Sequence, residues 1–498
     1  MSPALDACPG VLVLHPARDG LVARIRLPGG YASGARWRTL AALARDFGDG
    51  CVDVTARGNV QLRGLRAADS EALAARAAAA GLLPSAEHDR ARNITASPLA
   101  GLGGRPALRD LVDALDAALL SAPEFAALPG RFLFALDDGT GGASLPASDL
   151  ALRHAAPAPS GRALGAAALD SSASGGPAQD SPLEEGFDLF VAGRHAGVRL
   201  SAAEAVPAVL AATRAALAAG VGASVTRIAD LPDGGQSVAA AVGGALGAAA
   251  TPEVRLPLGL APAGVASRGG PSAGPATSSR AGGAALHDCD RFTADLSGKS
   301  VAIMDANPAP PAGGAGEEGG ALVVGARLGR LSGDQIELIA GLLAPGEVVR
   351  VGIAGRLVIP LAGVRPGQAV AELGAGELAA GLPAGGSGAG LDAGELVAGL
   401  APGQAGAGLT AAAAAAAARL GAGGLIVAAD DPMGDVTACS GSACHRSLAD
   451  VRSAAGPVPG HRKTHWAGCS RLCGCPPDAE PVVALDAVRY RVPGEGAA

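Results

Sequence analysis

Apolar positions along this 498-residue chain change period where the elements change. From Leu21, the stretch LVARIRLPGGYASGARWRTLAALARDFGDGCVDVTARG predicts a short strand ending near Arg26 and Leu27, a turn, an amphipathic helix and a second strand. Trp37, Leu40, Leu43 and Ala44 recur at helical spacing and share one face. Val52 and Val54 alternate with Asp53 and Thr55, the pattern of a half-buried strand. From Leu322, LVVGARLGRLSGDQIELIAGLLAPGEVVRVGIAGR repeats the order of strand, turn, helix, acidic-glycine turn and alternating strand. A repeated strand–helix–strand unit with antiparallel completion predicts an α+β protein with two ferredoxin-like halves.

Four stretches interrupt this pattern: Ala155–Gly186, Ala261–Gly283, Pro308–Gly320 and Pro366–Gly408. They are rich in Ala, Gly, Pro and Ser, with few large apolar groups to offset the entropy of ordering, and read as loops, linkers or insertions. The expected organisation is a first half over 8–75 and a mixed helix and strand domain over 84–230. A low-complexity linker over 231–319, a second half over 320–364, an insertion over 365–420 and a cysteine-bearing domain over 421–495 follow.

Composition changes this picture little. Apolar residues make up 49% and aromatics 2%, so alanine inflates the first figure and weakens periodicity elsewhere. The net charge of −7 comes from interspersed acids and bases, which offers no clustered basic face for nucleic acid. MSPALDACPG has neither a basic n-region nor an apolar h-region, and the most apolar stretch, around Ser237–Ala250, is too short to span a bilayer. The expectation is a cytoplasmic protein that binds neither nucleic acid nor membrane.

The cysteines carry the chemistry. Cys8, Cys51 and Cys289 are scattered, while Cys439, Cys444, Cys469, Cys473 and Cys475 crowd together in TACSGSAC and HWAGCSRLCGC. In a cytoplasmic chain such crowding points to metal before disulfides. Paired cysteines on tight loops supply the four thiolates a 4Fe–4S cluster needs, and Cys439, Cys444, Cys469 and Cys473 are the expected ligands. Ser440, Gly441, Gly468 and Gly474 leave backbone N–H groups to face cluster sulfurs. SLADVRSAA reads as a helix start whose positive end would lie near the cluster. The spacings also accommodate a structural zinc site. Cys475 reads as a bystander that could replace Cys473.

Together with CPGVLVLHPARDGLVARIRLPGG, VTARGNVQLRGL and RNITASPLAG, the cysteine pairs resemble the nitrite/sulfite reductase superfamily. Within it the chain looks like the precorrin-3B synthase family of aerobic cobalamin biosynthesis. The resemblance implies two ferredoxin-like halves plus two nitrite/sulfite reductase-type α+β domains in pseudo-two-fold arrangement, with a tetrapyrrole pocket at their junction beside the cluster. Arg57 and Gln61 match the family's Arg-x-x-x-Gln motif, and Arg92 and Asn93 its Arg-Asn pair. Arg63 extends the first set, on the ground that alternating residues share a strand face and that Arg meets carboxylates bidentately.

The reductases carry two lysines after a Leu-Pro sequence; here LPGRFLFAL puts Arg131 first and Leu133 second, which argues against a small anionic substrate. The gap between Cys439 and Cys444 is one residue shorter than the family's, and GIAGR stands where relatives have Thr-Pro-Trp-Arg. The implied reaction is hydroxylation and lactone formation on precorrin-3A by dioxygen, giving precorrin-3B. Electrons would come from NADH through a reductase, or from ferredoxin. The resemblance also implies a mononuclear non-haem iron, for which His287, His445, His461 and His465 are candidates with no ligand set assigned. No catalytic residue is assigned. The alternative is a sirohaem-dependent nitrite or sulfite reductase.

Overall fold

A Ser-Gly pair opens the helix of each half, and the two helices start alike for the same physical reason. Ser33 Oγ accepts from Arg36 N at 3.3 Å ahead of α1 (Gly34–Phe47). Ser332 Oγ accepts from Gln335 N at 3.2 Å ahead of α6 (Gly333–Ala340), and Gln335 Oε1 accepts from Ser332 N at 3.0 Å. Each cap satisfies an N–H that the first helical turn leaves unpaired. Trp37, Leu40, Leu43 and Ala44 are all buried, as the helical spacing predicts, and α1 packs against α6 in one core shared by both halves.

The computed structural model describes residues 6, 8–102, 105–143, 145–155, 186–246, 320–352, 355–361, 405–427, 431–461, 463–476 and 479–492. The first sheet runs β1 (His15–Ala17), β2 (Gly20–Ile25), β5 (Val60–Leu65), β4 (Cys51–Val54), β12 (Arg330–Ser332). The second runs β11 (Gly320–Gly325), β14 (Arg356–Leu361), β13 (Val348–Val351), β3 (Tyr31–Ser33). The halves therefore exchange strands. β12 of the second half pairs with β4, and β3 of the first pairs with β13.

The turns feeding these exchanged strands are left-handed in both copies, at Gly29 (φ 65°) and Gly30 (φ 76°), and at Leu328 (φ 52°) and Gly329 (φ 71°). A Cβ on Gly30 would stand 2.5 Å from Val351 O, so only glycine lets the two backbones approach. α2 (Ser70–Ala79) closes the first half.

The third sheet, β10 (Arg194–Leu200), β9 (Gly186–Val191), β8 (Leu150–Ala155), β7 (Phe134–Asp137), β6 (Ile94–Ala96), is parallel over β6–β8. Helices α3 (Arg109–Ser121), α4 (Ala202–Ala218) and α5 (Gln236–Leu246) cover one face. The fourth sheet, β15 (Val436–Ala438), β16 (Thr464–Ala467), β17 (Glu480–Ala484), β18 (Tyr490–Arg491), has the same plan in miniature, parallel strands closed by an antiparallel one.

Three expectations need correction. The linker over 231–319 holds α5, because Val238 and Val242, one helical turn apart, bury completely against the third sheet's helices. The insertion over 365–420 holds most of α7 (Ala405–Ala422). There alanine's helix propensity and small side chain let Ala413, Ala416 and Ala417 pack into the core beside α6. The helix expected in SLADVRSAA shrinks to one turn, α8 (Val451–Ala454), which starts seven residues past Cys444. No helix of the described residues is long and apolar enough to cross a membrane.

Candidate metal centre and its cationic face

The two cysteine loops leave the same end of two neighbouring parallel strands. Cys439 follows β15 directly, and Cys469 lies just past β16. Cys439 Sγ accepts from Gly441 N at 3.4 Å and from Gly468 N at 3.3 Å, the backbone cradle expected for a thiolate. Glycine is obligatory at 468, where a Cβ would fall 1.8 Å from Ser447 Oγ. Cys473 is exposed, whereas the Cys475 thiol faces the carbonyls of Pro476 at 3.4 Å and Ala479 at 3.7 Å, as a bystander would.

Among the described residues, no three His, Cys, Asp or Glu side chains stand close enough to share one metal ion. A 4Fe–4S cubane takes one thiolate on each of four irons and so needs its ligands further apart, which two loops at one sheet end can offer. A cluster there would be held by Cys439, whose sulfur has the N–H cradle, with Cys444, Cys469 and Cys473 as the expected remaining ligands, and would supply one-electron transfer.

The third sheet repeats the device without cysteine. Ser97 N donates to Leu136 O at 3.0 Å and Asp138 N to Ser97 Oγ at 3.2 Å, just as Cys439 N donates to Trp466 O at 3.0 Å and Gly468 N to Cys439 Sγ. Ser97 thus occupies the place of Cys439, and the Asp137 carboxylate fills its loop, accepting from Gly139 N, Gly141 N and Ala143 N.

The outer face of the first sheet is polar and lies against the cysteine loops. Arg24, Gln61, Asp53 and Arg330 stand in register across β2, β5, β4 and β12. With its amide oriented to present Oε1, Gln61 accepts from Arg24 Nη2 at 2.7 Å. Asp53 accepts from Arg452 Nη2 at 3.2 Å, and Arg452 Nε donates to Cys439 O at 3.1 Å. This contact explains why Asp53 is buried although the strand pattern assigns it to the exposed face.

The arginine expectations divide. Gln61 and Arg63 do share a face of β5, with Arg57 half-buried in the turn before it. Arg63, however, is committed to Asp19 through bonds of 2.9 and 3.1 Å. Arg92 is likewise held bidentately by Asp116 at 2.7 and 2.6 Å. Asn93 is fully buried, its Oδ1 accepting from Arg26 Nη1 and Asn59 Nδ2 at 2.9 Å each and its Nδ2 donating to Phe132 O at 3.1 Å. Arg63, Arg92 and Asn93 are therefore committed to protein partners. Arg131 is half-buried beside Gly130.

Arg24, Arg26, Asn59 and His15 went unselected in the sequence, although the alternation Arg24–Ile25–Arg26 ahead of Leu-Pro-Gly-Gly marks two of them. Arg26 is 3% exposed, donates only to the neutral acceptors Asn93 Oδ1 and Gly130 O, and its Nε has no partner. Burial, reinforced by Arg24, pushes its guanidinium down to about 9; Arg57 adds to this and Cys8 and Asp89 oppose it. Burial, then Arg24, His445 and Arg63, push His15 below its ordinary value. A cationic group without a matching carboxylate is suited to an anionic ligand. The second half has lost it: the positions matching Arg24, Arg26, Gln61 and Arg63 are Val323, Gly325, Val358 and Pro360, and Arg356 stands where Asn59 does.

No ligand set emerges for a mononuclear iron. Burial drives the fully buried His465 down to about 4, and its Nδ1 lies 2.9 Å from Thr437 Oγ1. His461 pairs with Glu480 at 2.7 Å, His445 is exposed, and His287 lies outside the described residues.

Residues 15–80 match the nitrite/sulfite reductase ferredoxin-like half domain. The similarity is to nitrite and sulfite reductases. A ferredoxin–nitrite reductase of Synechococcus elongatus is 36% identical over 134 residues, covering 25% of this chain and 26% of that protein. A precorrin-3B synthase of Sinorhizobium sp. is 41% identical over 68 residues, 14% of this chain and 15% of that one. These matches span about a quarter or less of the relatives' length. The solved structure of Mycobacterium tuberculosis NirA protein shares the fold, with a TM-score of 0.53 at 17% identity over 91% of this chain and 69% of that one. Residues 15–80 are thus similar to a nitrite/sulfite reductase ferredoxin-like half domain, in a chain that shares its fold with the solved NirA protein.

Proposed function

We propose that this chain hydroxylates a carboxylate-rich tetrapyrrole with dioxygen, converting precorrin-3A to precorrin-3B. Leu133 carries this reading. It is 1% exposed and occupies the position of the reductases' second lysine, so an aliphatic chain replaces half of the charge that would hold nitrite or sulfite. The cations that remain, Arg24 and Arg57 around buried Arg26, are spread over a face. That distribution suits carboxylates around a macrocycle better than one small anion. The similarity to a precorrin-3B synthase supports the same choice. In this reading the third and fourth sheets are the two pseudo-equivalent domains that flank the pocket.

The reaction takes up dioxygen, two electrons and two protons, leaving one oxygen on the substrate and one in water. A cluster held by Cys439, Cys444, Cys469 and Cys473 would supply one-electron transfer, fed by ferredoxin or by NADH through a separate reductase. Arg24 and Arg57 bind carboxylates, Asn59 and Asn93 fix the Arg26 side of the pocket, and Leu133 keeps water from its floor.

The longer match to a nitrite reductase favours a second reading, in which the same face holds sirohaem. Absorption spectra, sulfide assays and turnover of anaerobically purified protein with isotopically heavy dioxygen separate the two. One labelled oxygen in the product, with cluster absorbance and no sirohaem bands, supports the synthase. Sirohaem bands with nitrite or sulfite reduction replace it with the reductase, and a colourless protein sinks both.

A further inference from the structure

The hairpin joining β1 to β2 has Arg18 and Asp19 at its two-residue tip, and both reach the loop that carries Cys444. Arg18 N donates to Ala443 O at 3.0 Å. Its guanidinium donates to His445 O at 2.9 Å through Nη2 and to Ser447 O at 3.3 Å through Nη1. Asp19 holds Arg63, whose Nη2 reaches the same Ala443 O at 3.5 Å. Three carbonyls around one cysteine are thus bound by one residue from a distant part of the chain. Cys444, like Cys473, is not placed by a strand end. Cys439 and Cys469 are tied to the ends of paired strands, whereas Cys444 follows a short 3₁₀ turn, Gly441–Ala443.

We propose that Arg18 is the positioning residue for Cys444: its planar fork and its amide lock the 443–447 backbone, and so place that thiolate for the cluster. This rests on the cluster reading, but Arg18 itself touches only backbone. A lysine in its place would keep the charge and lose the fork.

The test uses the full chain, as Arg18→Ala and Arg18→Lys, with two readouts. In apo protein, Cys444 and Cys469 alkylation rates are followed by mass spectrometry. Arg18→Ala should speed Cys444 about tenfold, the loss of one to two ordinary hydrogen bonds, and leave Cys469 unchanged. Arg18→Lys should be as fast as Arg18→Ala. In holo protein, the reduced fraction of the cluster at a fixed potential should fall about threefold in Arg18→Ala, as expected for loss of one exposed charge, and recover in Arg18→Lys. Wild-type Cys444 rates in Arg18→Ala, equal acceleration of both cysteines, or full rescue of both readouts by lysine would each overturn the proposal. A wild-type protein without cluster absorbance would sink the cluster reading alone, since the alkylation arm needs no metal.

Discussion

Gly30 and Gly329 hold the same place in the two halves but meet their surroundings differently, and alanine at each should measure the difference. At Gly30 (φ 76°) a Cβ would stand 2.5 Å from Val351 O and 3.2 Å from Val351 N. At Gly329 (φ 71°) the nearest atom is Val54 O at 3.2 Å. The left-handed backbone costs an alanine about 1–2 kcal/mol at either site, and reduced freedom of the unfolded chain returns about 0.4–1 kcal/mol. Gly30→Ala must also push β13 away from its neighbour, an overpacking cost of about 1–3 kcal/mol. Gly329→Ala should therefore lose about 1 kcal/mol and Gly30→Ala about 2–4 kcal/mol. Equilibrium urea denaturation in a Trp466→Phe background reads this directly. The chain has two tryptophans, and Trp37, 1% exposed in the shared core, then reports alone. Equal losses at the two sites would refute a steric contribution from strand exchange.

Asp149 is fully buried and accepts from Arg227 Nε at 2.7 Å, Ile228 N at 2.7 Å and Leu133 N at 2.9 Å, so Asp149→Ala strands a guanidinium. It should cost about 3–5 kcal/mol by calorimetry, and a loss below about 1 kcal/mol would show that the pair is not needed. His15 is depressed in the fold, so the native state binds fewer protons than the unfolded one, and stability falls as pH drops from 6.5 toward the folded value. NMR titration should place its inflection below 6.5 and move it upward when a polycarboxylate tetrapyrrole binds; an unshifted or higher value in the free protein would contradict the cationic face. Cys473→Ser should lower cluster iron and sulfide, whereas Cys475→Ser should leave both intact. The reverse result would exchange their roles.

Much of the fold was legible because the repeat carries its own punctuation. Ser33-Gly34 and Ser332-Gly333 mark helix starts, and the apolar face from Trp37 to Ala44 is buried as its spacing requires. Strand exchange was not legible, since β3 and β12 are only three residues long and carry no periodicity. α5 was hidden in alanine, glycine and valine, which fit a helix or a linker equally well. In the site, the four cysteines and the Gly441 and Gly468 cradle follow from loop chemistry. The roles of Arg63 and Arg92 do not, because Asp19 and Asp116 stand far from them in sequence and nothing local shows the pairing. Arg26 was missed for the converse reason: a single arginine ending a strand looks exposed until its neighbours bury it.

The exchange of β3 and β12 also orders events during synthesis. β4 acquires its second neighbour only when Arg330–Ser332 leaves the ribosome. At ordinary translation rates that delay is on the order of tens of seconds. Through that interval the first half waits with an open strand edge, a template for unwanted pairing between nascent chains. β4 is four residues long and carries Asp53, which limits that hazard. The cysteine loops emerge later still, after β12 has taken its place at the sheet edge, so any cluster they hold would be assembled last. A chain halted between its halves would leave a sticky, metal-free fragment.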